Sequence, residues 1–197
     1  REAELIYKGV RMSCGFSDET VLILDIGGGS NEFIIANKKQ IYWKESYSLG
    51  MARLFEQFSP SDPITSKEIT KVEKFLENEL HSLFDAVKKY KPTTLIGASG
   101  SFETFTALLT NMYPNKYKKN NNCTEIHLDD YEKLHDQLLR STLREREKME
   151  GMEPVRIEMI VLATVFVNFV LQELNIQRVL QSDFALKEGI VAELLNI

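Results

Sequence analysis

Val21-Leu22-Ile23-Leu24-Asp25-Ile26-Gly27-Gly28-Gly29-Ser30-Asn31-Glu32-Phe33-Ile34-Ile35-Ala36 is the stretch that decides the fold. Residues Val21–Ile26 are a run of β-favouring apolar residues holding a single Asp25, which predicts a buried strand; the three glycines after it predict a turn. Asn31–Ala36 reads as a second strand, and Ile41–Ser48, beyond the Asn37-Lys38-Lys39 turn, as a third. The economical arrangement of the three is a β-meander.

Working outward, Thr65 and Glu68 have the spacing of a capping box. Ile69, Val72, Phe75, Leu76, Leu80, Leu83, Phe84 and Val87 then recur at three- and four-residue intervals, which predicts one long amphipathic helix. Thr93–Ala98 reads as a strand running through Gly97-Ala98-Ser99-Gly100 into a helix that lasts to about Leu109. Pro114–Asn122, rich in lysine and asparagine, reads as a loop and the place most prone to disorder. Helices resume near Asp129, Arg156–Leu174 reads as a core helix, Val179–Gln181 as a short strand, and Leu186, Ile190, Val191 and Leu194 mark a final amphipathic helix. The order predicts an α/β domain with helices packed on a mixed sheet.

Composition sets the outer limits. A chain of 197 residues with 43% hydrophobic and 27% charged residues can bury a sizeable core and reads as globular. The net charge of -5 argues against a general nucleic-acid binder, which needs an excess of lysine and arginine to displace counterions. Met159–Val167 is too short and too closely flanked by charge to span a bilayer. Arg1 in first position reads as an excision point. Cys14 and Cys123 stand far apart with no neighbouring Cys or His, so both read as reduced thiols of a cytoplasmic protein, with no zinc site.

The chemistry concentrates in the loop Asp25–Glu32. A strand delivers a carboxylate to its end, and Gly27, Gly28 and Gly29 then let successive N–H groups turn inward around an anion; side chains there would block the approach of phosphate oxygens. Ser30 adds a hydroxyl donor, Asp25 can hold Mg²⁺ directly or through water, and Glu32 supplies a second carboxylate. A tight hairpin in which the glycines serve only the turn is the plainer alternative. A carboxylate inside an apolar strand weighs against it, because burying one without a cation or donors is costly. A Walker loop or dinucleotide fingerprint is excluded, since each leads into a helix and here a strand follows.

These residues resemble the second phosphate-binding motif of the exopolyphosphatase / guanosine pentaphosphate phosphohydrolase family, within the actin, heat-shock chaperone and sugar kinase superfamily. Three further segments fit that family in order. Glu2-Ala3-Glu4-Leu5-Ile6-Tyr7-Lys8-Gly9-Val10 resembles its glutamate-alanine helix, Gly97-Ala98-Ser99-Gly100 its later glycine-serine turn, and Gln181-Ser182-Asp183-Phe184-Ala185-Leu186-Lys187-Glu188-Gly189 its C-terminal strand-to-helix motif. The resemblance implies a ribonuclease H-like, actin-like ATPase domain, the second half of a two-domain phosphatase whose N-terminal domain is absent from residues 1–197.

It also implies roles. Glu2 is the catalytic glutamate that activates or orients the attacking water, with Glu32 beside it. Gly27, Gly28, Gly29, Ser30, Gly97, Ser99 and Gly100 bind phosphate, and Asp25 and Glu32 place Mg²⁺, with Mn²⁺ meeting similar preferences. The substrate is polyphosphate or guanosine pentaphosphate; neither nucleic acid nor membrane is a partner, and a homodimer is compatible. Asp183 reads as a helix cap, Lys187 as a solvated face residue, and the lysines at 116, 118 and 119 as a solvated loop rather than a polyphosphate path. Arg1, Asn31 and Lys187 depart from the family's usual acidic residue, threonine and arginine, which clouds substrate choice. With one wall of the cleft missing, the isolated chain is expected to fold and turn over poorly or not at all. A kinase or ATPase of the superfamily, and a non-catalytic phosphate or alarmone sensor, are the competing readings.

Overall fold

The structure is a computed structural model that describes residues 1–117 and 122–195. Its centre is a six-stranded sheet made of β1 (Val21–Ile26), β2 (Asn31–Ala36), β3 (Ile41–Tyr47), β4 (Thr94–Ala98), β5 (Cys123–Ile126) and β6 (Arg178–Ser182), in the order β3-β2-β1-β4-β6-β5. β1, β4 and β6 are parallel, whereas β1-β2-β3 is the antiparallel meander and β5 runs antiparallel to β6. The mixed α/β sheet read from the sequence is therefore the observed architecture.

Both faces of β1 are covered, which explains why its sequence is continuously apolar rather than alternating. On one face Val21 and Ile23 pack with Ile34, Ala36, Ile96 and with Ile6, Tyr7 and Val10 of α1 (Glu2–Cys14). On the other, Leu22, Leu24 and Ile26 join Phe33, Phe102, Phe105 and Phe166 in a larger core. Those four phenylalanines are fully buried, and burying a side chain of that size contributes roughly 1.5–3 kcal/mol. The larger core is closed by α2 (Met51–Phe58), α3 (Ser66–Glu79), α4 (His81–Tyr90), α5 (Gly100–Met112), α6 (Leu128–Arg140) and α8 (Ile160–Glu173). A single turn, α7 (Leu143–Arg146), follows α6, and α9 (Leu186–Leu195) lies beside α1.

Helix α1 crosses the sheet as a strap. Lys44 of β3 pairs with Glu4 at 2.5 Å, the Tyr7 hydroxyl donates to the Asn37 carbonyl at 2.8 Å, and Ser13 and Ser182 of β6 share a hydrogen bond at 2.5 Å. That crossing corrects the cysteine reading. Cys14 at the end of α1 and Cys123 at the start of β5 form a disulfide, their Cα atoms 5.0 Å apart despite 109 residues of separation. Distance along the chain was the wrong criterion, since the strap carries one cysteine to the edge strand that bears the other. The cysteines accordingly give no support to a reducing compartment.

Other differences are local. The capping box at Thr65 and Glu68 is present, but the long helix read through Val87 is two helices. At Leu80 the backbone leaves helical geometry (φ -99°, ψ 21°), so α3 packs on α8 while α4 reaches β2 and β3. The Arg156–Leu174 helix starts later, after a 3-10 turn at Pro154–Arg156. Helix α2 and strand β5 went unread. Within the Pro114–Asn122 loop, Lys116 pairs with Asp130 at 2.5 Å, and Lys118 and Lys119 lie outside the described residues. No helix among the described residues is long and apolar enough to cross a membrane.

Candidate active site

The loop Gly27–Ser30 closes the β1–β2 hairpin, with the Gly27 amide bonded to the Ser30 carbonyl at 2.9 Å. Helix α2 determines which way the loop faces. Its first amides donate back into it: Gly50 to the Gly29 carbonyl at 3.3 Å, Met51 to Gly27 at 2.9 Å, and Ala52 to Gly28 at 3.0 Å. One set of contacts thus satisfies helix-terminal amides that have no partner within the helix and turns the loop carbonyls inward. The amides of Gly28, Gly29 and Ser30 donate to no group among the described residues. A Cβ on Gly28 or Gly29 would enter open space, whereas one on Gly50 would strike the backbone of both. Asn31, fully buried, anchors the loop from below by donating to the Leu49 carbonyl at 2.8 Å.

The carboxylates meet because of register. Asp25 stands directly opposite Glu32 across the β1–β2 ladder and beside Ala98 of β4, which puts both acids on the face covered by α1. They are 7% and 4% exposed. Glu32 Oε1 accepts from the Ser30 hydroxyl at 2.7 Å and the Ser46 hydroxyl at 2.8 Å, and Asp25 Oδ1 accepts from the Ser99 hydroxyl. Burial raises the Asp25 carboxyl to about 6 against the opposing effect of Ser99, and the charges of Glu32, Glu2 and Glu103 raise it further. Glu2, exposed on the first turn of α1, is therefore within electrostatic reach of Asp25. The described residues hold no cluster of three or more acidic, His or Cys side chains fit to bind a metal ion. The buried pair Asp25 and Glu32 would hold a divalent cation only with phosphate oxygens and water completing its ligands, as Mg²⁺ commonly is held. The cation would lower the cost of charging Asp25.

The Gly97–Gly100 turn lies at the same end of the sheet. Ser99 has φ 69° and ψ 173°, a conformation open to glycine and costing other residues on the order of 1–3 kcal/mol. Its carbonyl accepts the Phe102 and Glu103 amides at 3.1 and 3.3 Å and so starts α5. The Arg156 guanidinium, paired with Glu153 at 3.0 Å, lies directly over Gly100, where any Cβ would collide with it. A cavity of about 590 Å³ opens alongside, lined by Glu103, Thr106, Glu153, Gln181 and Asp183 among others.

The sequence signature of the Ppx/GppA phosphatase family matches residues 1–196. The chain belongs to the Ppx/GppA phosphatase family. It is 35% identical to the exopolyphosphatase of Cytophaga hutchinsonii, whose crystal structure superposes with a TM-score of 0.95 over 99% of this chain and 63% of that one. The Aquifex aeolicus PPX-GPPA enzyme is 26% identical with a TM-score of 0.83, covering 98% of this chain and 62% of its own. Exopolyphosphatase 2 of Mycobacterium tuberculosis is 26% identical over 202 residues, spanning 98% of this chain and 61% of the relative. The chain therefore spans about three fifths of the length of these relatives, and the fold is the actin-like ATPase fold they share.

Within this Ppx/GppA domain, the residues picked from sequence converge on one edge. Asp25, Gly27–Gly29, Ser30, Glu32, Gly97, Ser99 and Gly100 all sit at the carboxyl ends of parallel strands β1 and β4, where open α/β sheets bind ligands. The Asp183 carboxylate accepts from Gln181 Nε2 at 3.0 Å, and Glu188 takes the Ala185 amide at the start of α9 at 2.9 Å. Lys187 is exposed. Two residues beside these turns, Glu103 and Arg156, were not singled out from sequence. Glu103 carried a legible signal, four positions after Ser99 on a predicted helix, whereas nothing near Arg156 in sequence points to Gly100.

Proposed function

We propose that this domain supplies the phosphate-binding wall of an enzyme that releases orthophosphate from the end of inorganic polyphosphate, or from guanosine pentaphosphate. The observation that carries the reading is the glycine loop whose carbonyls are taken by α2, while the Gly28, Gly29 and Ser30 amides, next to the paired Asp25 and Glu32, have no acceptor among the described residues. Fixed amides of this kind stabilise charge as it develops on phosphoryl oxygens, without reorganisation at the moment of reaction. The names of the relatives favour polyphosphate.

Glu2 takes a proton from the attacking water as its oxygen bonds to the terminal phosphorus; the bond to the bridging oxygen breaks, and that oxygen leaves with the electron pair. Asp25 and Glu32 would hold Mg²⁺, which neutralises phosphate charge when bound. Arg156 over Gly100 adds a fixed positive charge where the next phosphates of a chain would pass. The remaining two fifths of the relatives' length would supply the opposite wall. Orthophosphate release from both substrates with Mg²⁺, by the full-length protein, tests the reading. Binding of either without release would replace it with a sensor.

Two further outcomes are expected. Replacing Arg156 by alanine lowers kcat/KM for polyphosphate by about 10–100-fold, the worth of a charge-assisted hydrogen bond to phosphate, with an unchanged melting temperature; steady-state kinetics at fixed Mg²⁺ would show it. The second concerns pH. Because the folded-state pKa of Asp25, about 6, lies above the unfolded value, the folded chain holds this proton more tightly. Stability without metal is then lost as pH rises from about 4 to about 6, and a cation competes with the proton. Apparent Mg²⁺ affinity falls by up to about tenfold per pH unit below about 6 and is flat above it. Mg²⁺ activation curves at pH 5, 6, 7 and 8 check this, and a pH-independent requirement would contradict it.

A further inference from the structure

Ser99 presents a mismatch between residue and backbone. In Gly97-Ala98-Ser99-Gly100, glycine stands on both sides, yet the residue in the glycine-only region (φ 69°, ψ 173°) is the serine. Glycine at this position would relieve the strain and keep the carbonyl that starts α5 through the Phe102 and Glu103 amides. The serine side chain therefore serves something its backbone does not, and its hydroxyl has one partner among the described residues: Oδ1 of Asp25, 74 positions earlier. Register makes this contact fixed rather than incidental, because Asp25 lies beside Ala98, the residue before Ser99, in the β1–β4 ladder. Asp25 Oδ2 accepts no hydrogen bond from the described residues.

We infer that Ser99 is a positioning residue, its hydroxyl holding Oδ1 of Asp25 so that Oδ2 is the oxygen offered to the divalent cation. The inference rests on the cation-binding part of the function proposed above and changes the role of Ser99 from direct phosphate contact to orientation of a metal ligand. Groups that orient a ligand from behind govern affinity for the metal more than contact with the substrate, and removing one commonly weakens metal binding by about 10–100-fold.

The test uses Mn²⁺ as the probe, with free ion followed by electron paramagnetic resonance during titration of the full-length protein and each variant at one fixed pH of 8. Ser99→Ala removes the hydroxyl and keeps the strained backbone, whereas Ser99→Gly removes both. The expected result is that both bind Mn²⁺ at least about tenfold more weakly than the parent, with the glycine variant melting above the alanine variant. Turnover in each would recover at high Mg²⁺, a rise in the metal requirement rather than in the KM for polyphosphate. Parent-like Mn²⁺ binding in either variant overturns the inference, as does a raised KM with unchanged metal affinity, which returns Ser99 to direct phosphate contact. A parent that binds no Mn²⁺ overturns it together with the metal site. Metal binding that depends on Ser99 in a protein releasing no orthophosphate would leave the inference standing and remove only the hydrolase reading.

Discussion

Replacing Glu2 by glutamine lowers kcat for orthophosphate release by about 10²–10⁴-fold, the usual contribution of a positioned general base, while the melting temperature stays within experimental error. Glu2 is exposed on the first turn of α1, and surface substitutions of this kind seldom move stability by more than about 0.5 kcal/mol. Its charge nonetheless reaches Asp25, helping to raise that carboxyl. Glutamine keeps the size of the side chain and removes both the base and the charge. Asp25 then ionises more easily, so the variant should need no more Mg²⁺ than the parent even as turnover collapses. That combination separates loss of a base from loss of a metal site. A variant with parental kcat would remove Glu2 from the mechanism.

Breaking the Cys14–Cys123 disulfide is the largest expected effect on stability. The bond closes a loop of about 109 residues, and the chain-entropy model assigns a cross-link of that span roughly 4–5 kcal/mol. Set against a total stability of about 5–15 kcal/mol for a folded domain, that is a large fraction. Urea unfolding with and without dithiothreitol, beside the Cys14→Ser/Cys123→Ser double variant, measures it. Reductant should lower the midpoint of the parent to that of the double variant and leave the double variant unmoved. A parent indifferent to reductant would show that the two sulfurs are not joined.

The strap formed by α1 links these two expectations. One end carries Glu2 toward the carboxyl ends of β1 and β4, and the other is stapled to β5 by Cys14. Neither end is intelligible from its own neighbours in sequence. Arg156 is a similar case, since its position over Gly100 depends on how the turn before α8 meets the start of α5, two segments more than fifty residues apart.

By itself the sequence determined what short-range physics controls. Strands β1 and β2 were readable to the residue, because an apolar run ending at three glycines allows little else. The Thr65–Glu68 cap was equally local, and the pairing of Asp25 with Glu32 follows from a hairpin whose turn length sets its register. Only the tertiary structure decided the break at Leu80, where the apolar period runs on unbroken but two packing surfaces demand two helices. It likewise decided the disulfide, and the clamp by which α2 turns the glycine carbonyls inward. Spacing along a chain encodes which face a residue takes; which distant element meets that face is settled when the layers pack, by burial and hydrogen bonding across the whole sheet.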